Sequence, residues 1–248
     1  MSVGQLQVGN DFSGAYSDGQ LGYTLCLSAD GNKIAIGTWG ADNNGVNSGQ
    51  VQIWEWNSVS WNMMGTPIDG DAAGDLLGNA LSFSSNGNWV AIGAKWNDGN
   101  GEDAGQVRVF EWNDTVWDQM GSDLYGKAEG DEFGYSCTLS GNGNRLAVGA
   151  IFHSETGSEA GQVTVNEWDG NQWIQIGTSI NGTVPFIQFG WKTMLSADGN
   201  RLAISAIFSN ENGSDAGQVR IYDWDGENWM QLGSSLNGST AGGRSYSQ

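Results

Sequence analysis

The chain carries a single histidine, His153, and two cysteines, Cys26 and Cys137, in 248 residues. One imidazole cannot build a histidine-based metal centre, so acid–base chemistry would rest on it or on carboxylates. His153 falls in a polar loop, where a solvated side chain is the plain expectation. The cysteines fall in alternating, strand-like segments and read as buried structural thiols rather than nucleophiles. Gly99-x-Gly101 has no helix behind it to hold a phosphate. From these residues no catalytic centre, cofactor or metal is expected.

Binding chemistry is better represented. Trp96, Phe152 and Phe208 recur in register in three polar loops, and each is followed by carboxylates: Glu102 and Asp103, Glu155 and Glu159, Glu211 and Asp215. Aromatic faces beside acidic groups can stack on sugar rings or grip a protein partner. They can equally wedge between packed sheets while the acids keep the rim soluble. A second candidate surface is Val184-Pro185-Phe186-Ile187, which stands where the equivalent loops read Ala72-Ala73-Gly74-Asp75 and Ala128-Glu129-Gly130-Asp131. Apolar residues replacing an acidic loop suggest a contact surface, or burial against a terminal strand.

These loops are positioned by a repeat. Gly-Gln-Val begins at Gly49, Gly105, Gly161 and Gly217, each 56 residues after the last. The turn Asp30-Gly31-Asn32 returns as Asn86-Gly87-Asn88, Asn142-Gly143-Asn144 and Asp198-Gly199-Asn200, and Trp61, Trp117, Trp173 and Trp229 keep the same step. One copy reads as four strands. The first, A, covers Leu21 to Ser28, where apolar and polar residues alternate with the two-residue period of a strand. An Asp-Gly or Asn-Gly hairpin follows, because Gly accepts the positive φ that the turn needs. Strand B is Lys33 to Thr38, strand C is Gln50 to Trp56, and strand D runs from about Trp61 to Ile68. Cys26 and Cys137 both fall in A strands but 111 residues apart, one short of two full steps, so they should point to opposite faces.

A four-stranded antiparallel unit of this size cannot cover both its faces alone and must stack on its neighbours. Radial stacking predicts an all-β, β-propeller-like fold of four blades, covering residues 21–76, 77–132, 133–188 and 189–248 of one repeat domain. Gln7-Val8-Gly9 aligns one period before Met63-Met64-Gly65, so residues 1–20 add an extra D-like strand with Gln5 at the Trp position. Arg244-Ser245-Tyr246-Ser247 resembles the stub of another A strand. A leading strand that pairs within the chain protects an edge; left unpaired, it is available to another chain.

Charge narrows the partners. Nine Lys and Arg against 28 Asp and Glu give a net charge of −19, a field that repels phosphate backbones and anionic membrane surfaces. Nucleic acid is therefore not an expected partner. No stretch approaches roughly 18 apolar residues, so no membrane insertion is expected, and no secretion leader is visible at Met1 to Gly22.

Phe133-Gly134-Tyr135-Ser136, Leu146-Ala147-Val148-Gly149-Ala150 after the turn, and Gly161-Gln162-Val163 opening strand C together resemble the FG-GAP repeats of integrin α-type propellers. The closest variant is Trp-rich, with a Leu-Ser-x-Asp-Gly-Asn hairpin. The resemblance implies a non-catalytic adhesion or protein-interaction scaffold displayed outside the cell. The family often holds calcium in an Asp-x-Asp-x-Asp-Gly-x-x-Asp hairpin. Here Cys26, Ser28 and Ile34 stand at three of the carboxylate positions, and Val90, Leu146 and Leu202 end the later copies. Aliphatic side chains cannot ligate a hard cation, so these hairpins are assigned to turn chemistry.

The functional expectation is a non-enzymatic scaffold that presents its loops to a protein partner or to copies of itself. The alternative is a glycan-binding lectin. The residues expected to carry either role are Trp96, Phe152, Phe208, Glu102, Asp103, Glu159, Asp215, Val184, Phe186 and Ile187. Self-association through the N-terminal strand is the expected mode of assembly.

Overall fold

The computed structural model describes residues 7–239 as an all-β chain, with no helix among the described residues. The first sheet contains β1 (Thr24–Leu27), β2 (Lys33–Thr38), β3 (Gln50–Trp56), β4 (Trp61–Met63) and β5 (Ile68–Asp69). The second contains β6 (Ala80–Phe83), β7 (Trp89–Ala94), β8 (Gln106–Trp112), β9 (Trp117–Gln119) and β10 (Leu124–Tyr125). The third contains β11 (Phe133–Leu139), β12 (Arg145–Ala150), β13 (Gln162–Trp168), β14 (Trp173–Gln175) and β15 (Ile180–Asn181). The fourth contains β16 (Thr193–Leu195), β17 (Arg201–Ala206), β18 (Gln218–Trp224), β19 (Trp229–Gln231) and β20 (Leu236–Asn237).

Each sheet is an antiparallel A–B–C–D meander, and the two short pieces of D both pair with C. Strands B and C match their expected limits in the first sheet; A and D are shorter. Strand A starts at Thr24 rather than Leu21, because Gly22 sits at φ 86° and turns the chain before the ladder begins. Strand D breaks where Gly65 takes φ 71° and Pro67 offers no amide hydrogen, so pairing stops at Met63 and resumes at Ile68.

The core consists of three seams between consecutive sheets. Val51, Ile53, Val90 and Ile92 bury the first. Val107, Val109, Leu146 and Val148 bury the second, and Val163, Val165, Leu202 and Ile204 the third. Strand B of the two middle sheets is buried on both faces, and residues 90–94 and 146–150 accordingly read as apolar rather than alternating. Trp indoles rivet the seams from outside: Trp117 Nε1 donates to the Met64 carbonyl at 3.0 Å and Trp173 Nε1 to the Met120 carbonyl at 3.1 Å. Each sheet also carries a tilted Trp pair, with rings 5.3 to 5.5 Å apart.

The result is a four-bladed, propeller-like arc whose A strands line the axis. The outward faces of its first and last sheets meet solvent: Leu25 and Leu27 are 59% exposed and Met194 69%. The expected leading D strand is not a strand among the described residues. Residues 7–13 are irregular, yet they lie in the D position, with the Val8 carbonyl accepting from Trp61 Nε1 at 3.2 Å. Gln5 and the stub at Arg244 to Ser247 lie outside the described residues.

Candidate functional site

The rim residues named from sequence engage separate neighbours. Trp96 is 40% exposed, donates its Nε1 to Glu132 Oε1 at 2.9 Å, and carries Lys95 Nζ 4.7 Å above its ring. Phe208 meets Trp191 edge-on at 5.9 Å, and the Phe152 backbone reaches the Asp131 carbonyl. Asp103, Glu159 and Asp215 occupy one repeat position, each at φ 52°. There the backbone N–H donates to the Asp98, Ser154 or Asn210 side chain, so these acids close the loop turn. Glu159 also accepts from Gln188, and Glu102 is exposed on the rim. The apolar loop splits: Phe186 is 59% exposed beside exposed Val184, while Ile187 is buried in the third seam.

His153 is not the solvated loop residue expected. It is buried, with Nδ1 3.0 Å from both Asp131 oxygens and Nε2 3.5 Å from Glu155. Asp131 also accepts the backbone N–H groups of Lys127 and Ala128, so the pair staples a blade to the loop that enters it. The second sheet does the same with Asp75 and Asn97 Nδ2 at 3.0 Å. The hydrogen bond to Asp131 holds the imidazole pKa above its ordinary value, against the opposing effect of burial.

The two thiols do point in opposite senses, both toward the second sheet. Cys26 takes a backbone hydrogen bond from Phe83, and Cys137 Sγ lies 3.8 Å from the Ala91 carbonyl. Burial pushes both up to about 12, which keeps them protonated and unreactive.

A different group of residues converges on the axis. The A strands enclose a cleft of about 380 Å³ lined by Thr24, Asn79, Ser136, Cys137, Thr138 and Lys192 among others. Its mouth, about 170 Å³, is formed by Tyr23, Thr24, Asn79, Lys95, Tyr135 and Lys192. The residues at these repeat positions change from copy to copy, as in Tyr23, Asn79, Tyr135 and Trp191 or Thr24, Ala80, Ser136 and Lys192, and only the fold shows that they meet. Asn79 is locked, accepting from the Lys95 N–H at 3.0 Å and donating to the Gly134 carbonyl at 3.1 Å. Lys95 Nζ pairs with Glu132 at 3.3 Å and lies 5.1 Å from the Tyr135 ring centre. Tyr135 stacks tilted on Trp191 at 4.8 Å, and Tyr23 meets Trp39 edge-on at 5.5 Å.

The electrostatics favour a donor-rich mouth. Burial, reinforced by the Glu132 charge, pushes the Tyr135 phenol up to about 12, so it keeps its proton. Lys192 is exposed, and no hydrogen bond or ion pair to its ammonium is present among the described residues. In the first and third sheets the same position clasps the next sheet, Thr24 to the Gly78 carbonyl and Ser136 to the Gly190 carbonyl. The signal available in the sequence was the variation at positions 23, 79, 135 and 191, and at 24, 80, 136 and 192, within copies otherwise so regular.

Comparison with protein-family models and with curated protein sequences returns no match. Solved structures do match. A protein described as a 6-phosphogluconolactonase from Bacteroides uniformis aligns at a TM-score of 0.59 and 13% identity, over 86% of this chain and 54% of its own. The periplasmic gluconolactonase PpgL of Pseudomonas aeruginosa gives 0.56 and 14%, over 89% of this chain and 58% of its own. The β-propeller domain of the Trilobed protease from Pyrococcus furiosus, described as having an open velcro topology, gives 0.50 and 12%, over 84% and 57%. The architecture is therefore that of a β-propeller, and the chain spans little more than half the length of these structures. The likeness is one of fold. It nonetheless overturns the expectation of a non-enzymatic scaffold, because lactonases are built on this architecture; the scarcity of histidine is no ground for excluding catalysis.

Proposed function

We propose that the chain binds a small, hydroxyl-rich organic anion, such as a sugar acid, sugar lactone or sugar phosphate, at the mouth of the axial cleft. Opening of a sugar lactone is the reaction assigned to that mouth. The observation that carries the proposal is the meeting of Lys95 and Lys192 at one small cavity, in a chain with only nine basic residues and a net charge of −19. Two ammonium groups and a protonated Tyr135 supply charge-assisted hydrogen bonds, and Tyr135 with Trp191 offers a ring face for stacking. In lactone opening, water adds to the carbonyl carbon and negative charge grows on the carbonyl oxygen, where these donors would stabilise it. The ring C–O bond then breaks to leave a carboxylate and a hydroxyl, with one proton released. Trp96, beneath Lys95, extends this surface toward the rim.

The names of the Bacteroides and Pseudomonas proteins support this choice of ligand class. The Phe-Gly, Leu-Ala-Val-Gly-Ala and Gly-Gln-Val motifs support reading the blades as FG-GAP-like, with no adhesion role attached. Titration calorimetry with gluconate, 6-phosphogluconate and neutral glucose tests binding, and acid release from gluconolactone and 6-phosphogluconolactone tests turnover. The acids should bind more tightly than glucose, and Lys192→Ala should weaken them about 10-fold or more, the value of one charge-assisted hydrogen bond. Equal affinity for glucose and the acids, or no effect of Lys192→Ala, would retire the site.

A further inference from the structure

Each seam obeys a fixed step. The Cys26 thiol accepts a hydrogen bond from the backbone of Phe83, and Ser82 Oγ accepts one from Leu139 N–H at 2.9 Å. In both cases the partner lies 57 residues ahead, on the facing A strand of the next sheet. Carried one sheet further, the same step takes Met194 to the repeat position of Leu27. Both are apolar and exposed on the two outward faces of the arc, 69% and 59% respectively. The fourth sheet thus presents the side that, elsewhere in the chain, receives a following sheet. The first presents the side that receives a preceding one.

One of these faces is partly occupied. Val8 accepts from Trp61 Nε1 at 3.2 Å, as Met64 does from Trp117 and Met120 from Trp173. Gln7 Nε2 donates to the Gly9 carbonyl at 3.3 Å and Asp11 Oδ1 at 2.7 Å, repeating the bonds of Gln119 to Gly121 and Asp123. Gly9 lies against Trp61 and Trp56 as Gly65 lies against Trp112. Phe12 then folds over the first sheet, 5.2 Å from Trp54 and 5.9 Å from Trp61. Residues 7–12 therefore stand where the outer strand of a preceding sheet would stand.

We propose that residues 7–12 are a detachable cap that prevents the first sheet from stacking on the fourth sheet of a second copy of this chain. Such a contact is heterologous: it joins unlike faces and propagates until a ring closes. Two four-bladed arcs would complete eight blades, within the usual range for propellers. The register pairing Met194 with Leu27 identifies a second copy as the occupant. This inference is independent of the axial cleft.

The test uses full-length chains and light scattering. Phe12→Asp removes the ring over Trp54. Gly9→Val places a side chain at φ 78° and within 2.7 Å of Trp61, which expels the segment. The unmodified chain should run at its monomer mass of 26.4 kDa, and both variants at twice that mass or more. Adding Met194→Lys or Leu27→Glu singly should return them to monomer. Combining the two, which sets Lys against Glu across the junction, should restore assembly. An unchanged far-ultraviolet circular dichroism spectrum in each variant confirms that the four sheets are intact. Uncapped chains that stay monomeric, oligomers that survive Met194→Lys, or an unmodified chain already assembled would each overturn the proposal.

Discussion

Gly161 and Gly217 open strand C in successive sheets with nearly the same backbone, φ 82° and 79°, but their surroundings differ. A Cβ at Gly161 would lie 2.1 Å from the Phe189 carbonyl oxygen and 2.5 Å from its nitrogen, both backbone atoms of the next repeat. At Gly217, in the last of the four described sheets, the nearest atom is 3.6 Å away. Gly217→Ala therefore carries only the left-handed backbone penalty, about 1–2 kcal/mol. Gly161→Ala carries that penalty plus overpacking of about 1–3 kcal/mol, since the backbone of the neighbouring repeat has to move. For a chain of this size about 1 kcal/mol shifts the melting temperature by about 2–4 °C. Gly217→Ala should therefore melt about 2–8 °C low, and Gly161→Ala lower than that by a further 2–12 °C or so. Gly49 and Gly105, whose Cβ atoms would meet backbone at 2.3 Å and 2.2 Å, should behave like Gly161. Equal losses at Gly161 and Gly217 in calorimetry would refute the claim that the repeat glycines are required by sheet-to-sheet contact.

His153 should make stability fall with rising pH. Its folded pKa is raised by Asp131, so the stabilisation is complete below the ordinary value near 6.5 and is lost as pH climbs through the folded pKa. His153→Asn, which copies the Asn97 staple, should remove that slope while keeping the fold; a difference in melting temperature between the two proteins that does not vary with pH would count against the pairing. The thiols of Cys26 and Cys137 should resist alkylation at pH 8 in the native protein and react fully in denaturant, because burial holds both near 12. Rapid native labelling of either would show that its seam opens.

The fold was largely legible because one rule was written four times. Strands B and C could be placed to the residue, since their ends are set by a hairpin glycine and by Gly-Gln-Val, local signals that the repeat confirms. Strands A and D were overextended because apolar alternation continues through Leu21 and past Met64, while the bends at Gly22 and Gly65 stop the ladders. The leading segment was placed in the D position correctly, but not its irregular backbone. The axial mouth was not legible from any one copy. Tyr23, Asn79, Lys95, Tyr135 and Lys192 come from four copies, and no spacing within one copy brings them together. His153 was misjudged for a related reason: its partner Asp131 belongs to the loop that enters its own blade, 22 residues earlier.

A repeat fold separates what each blade requires from what the assembly can vary. Trp117 and Trp173 rivet seams, and a change at either touches the scaffold. Positions 24, 80, 136 and 192 are different, because each needs only to clasp the next sheet, and among the described residues the fourth sheet has none to clasp. Thr24 and Ser136 hold neighbouring carbonyls, Ala80 leaves that task to Asn79, and Lys192 is released from it. A lysine at such a position, if it served packing, would bring a charge into a seam that elsewhere uses hydroxyls. Beside an open axis it keeps its hydration and places a positive charge in a strongly negative molecule. The same missing neighbour thus accounts for the bare apolar face at Met194 and for the cation at the mouth two residues before it.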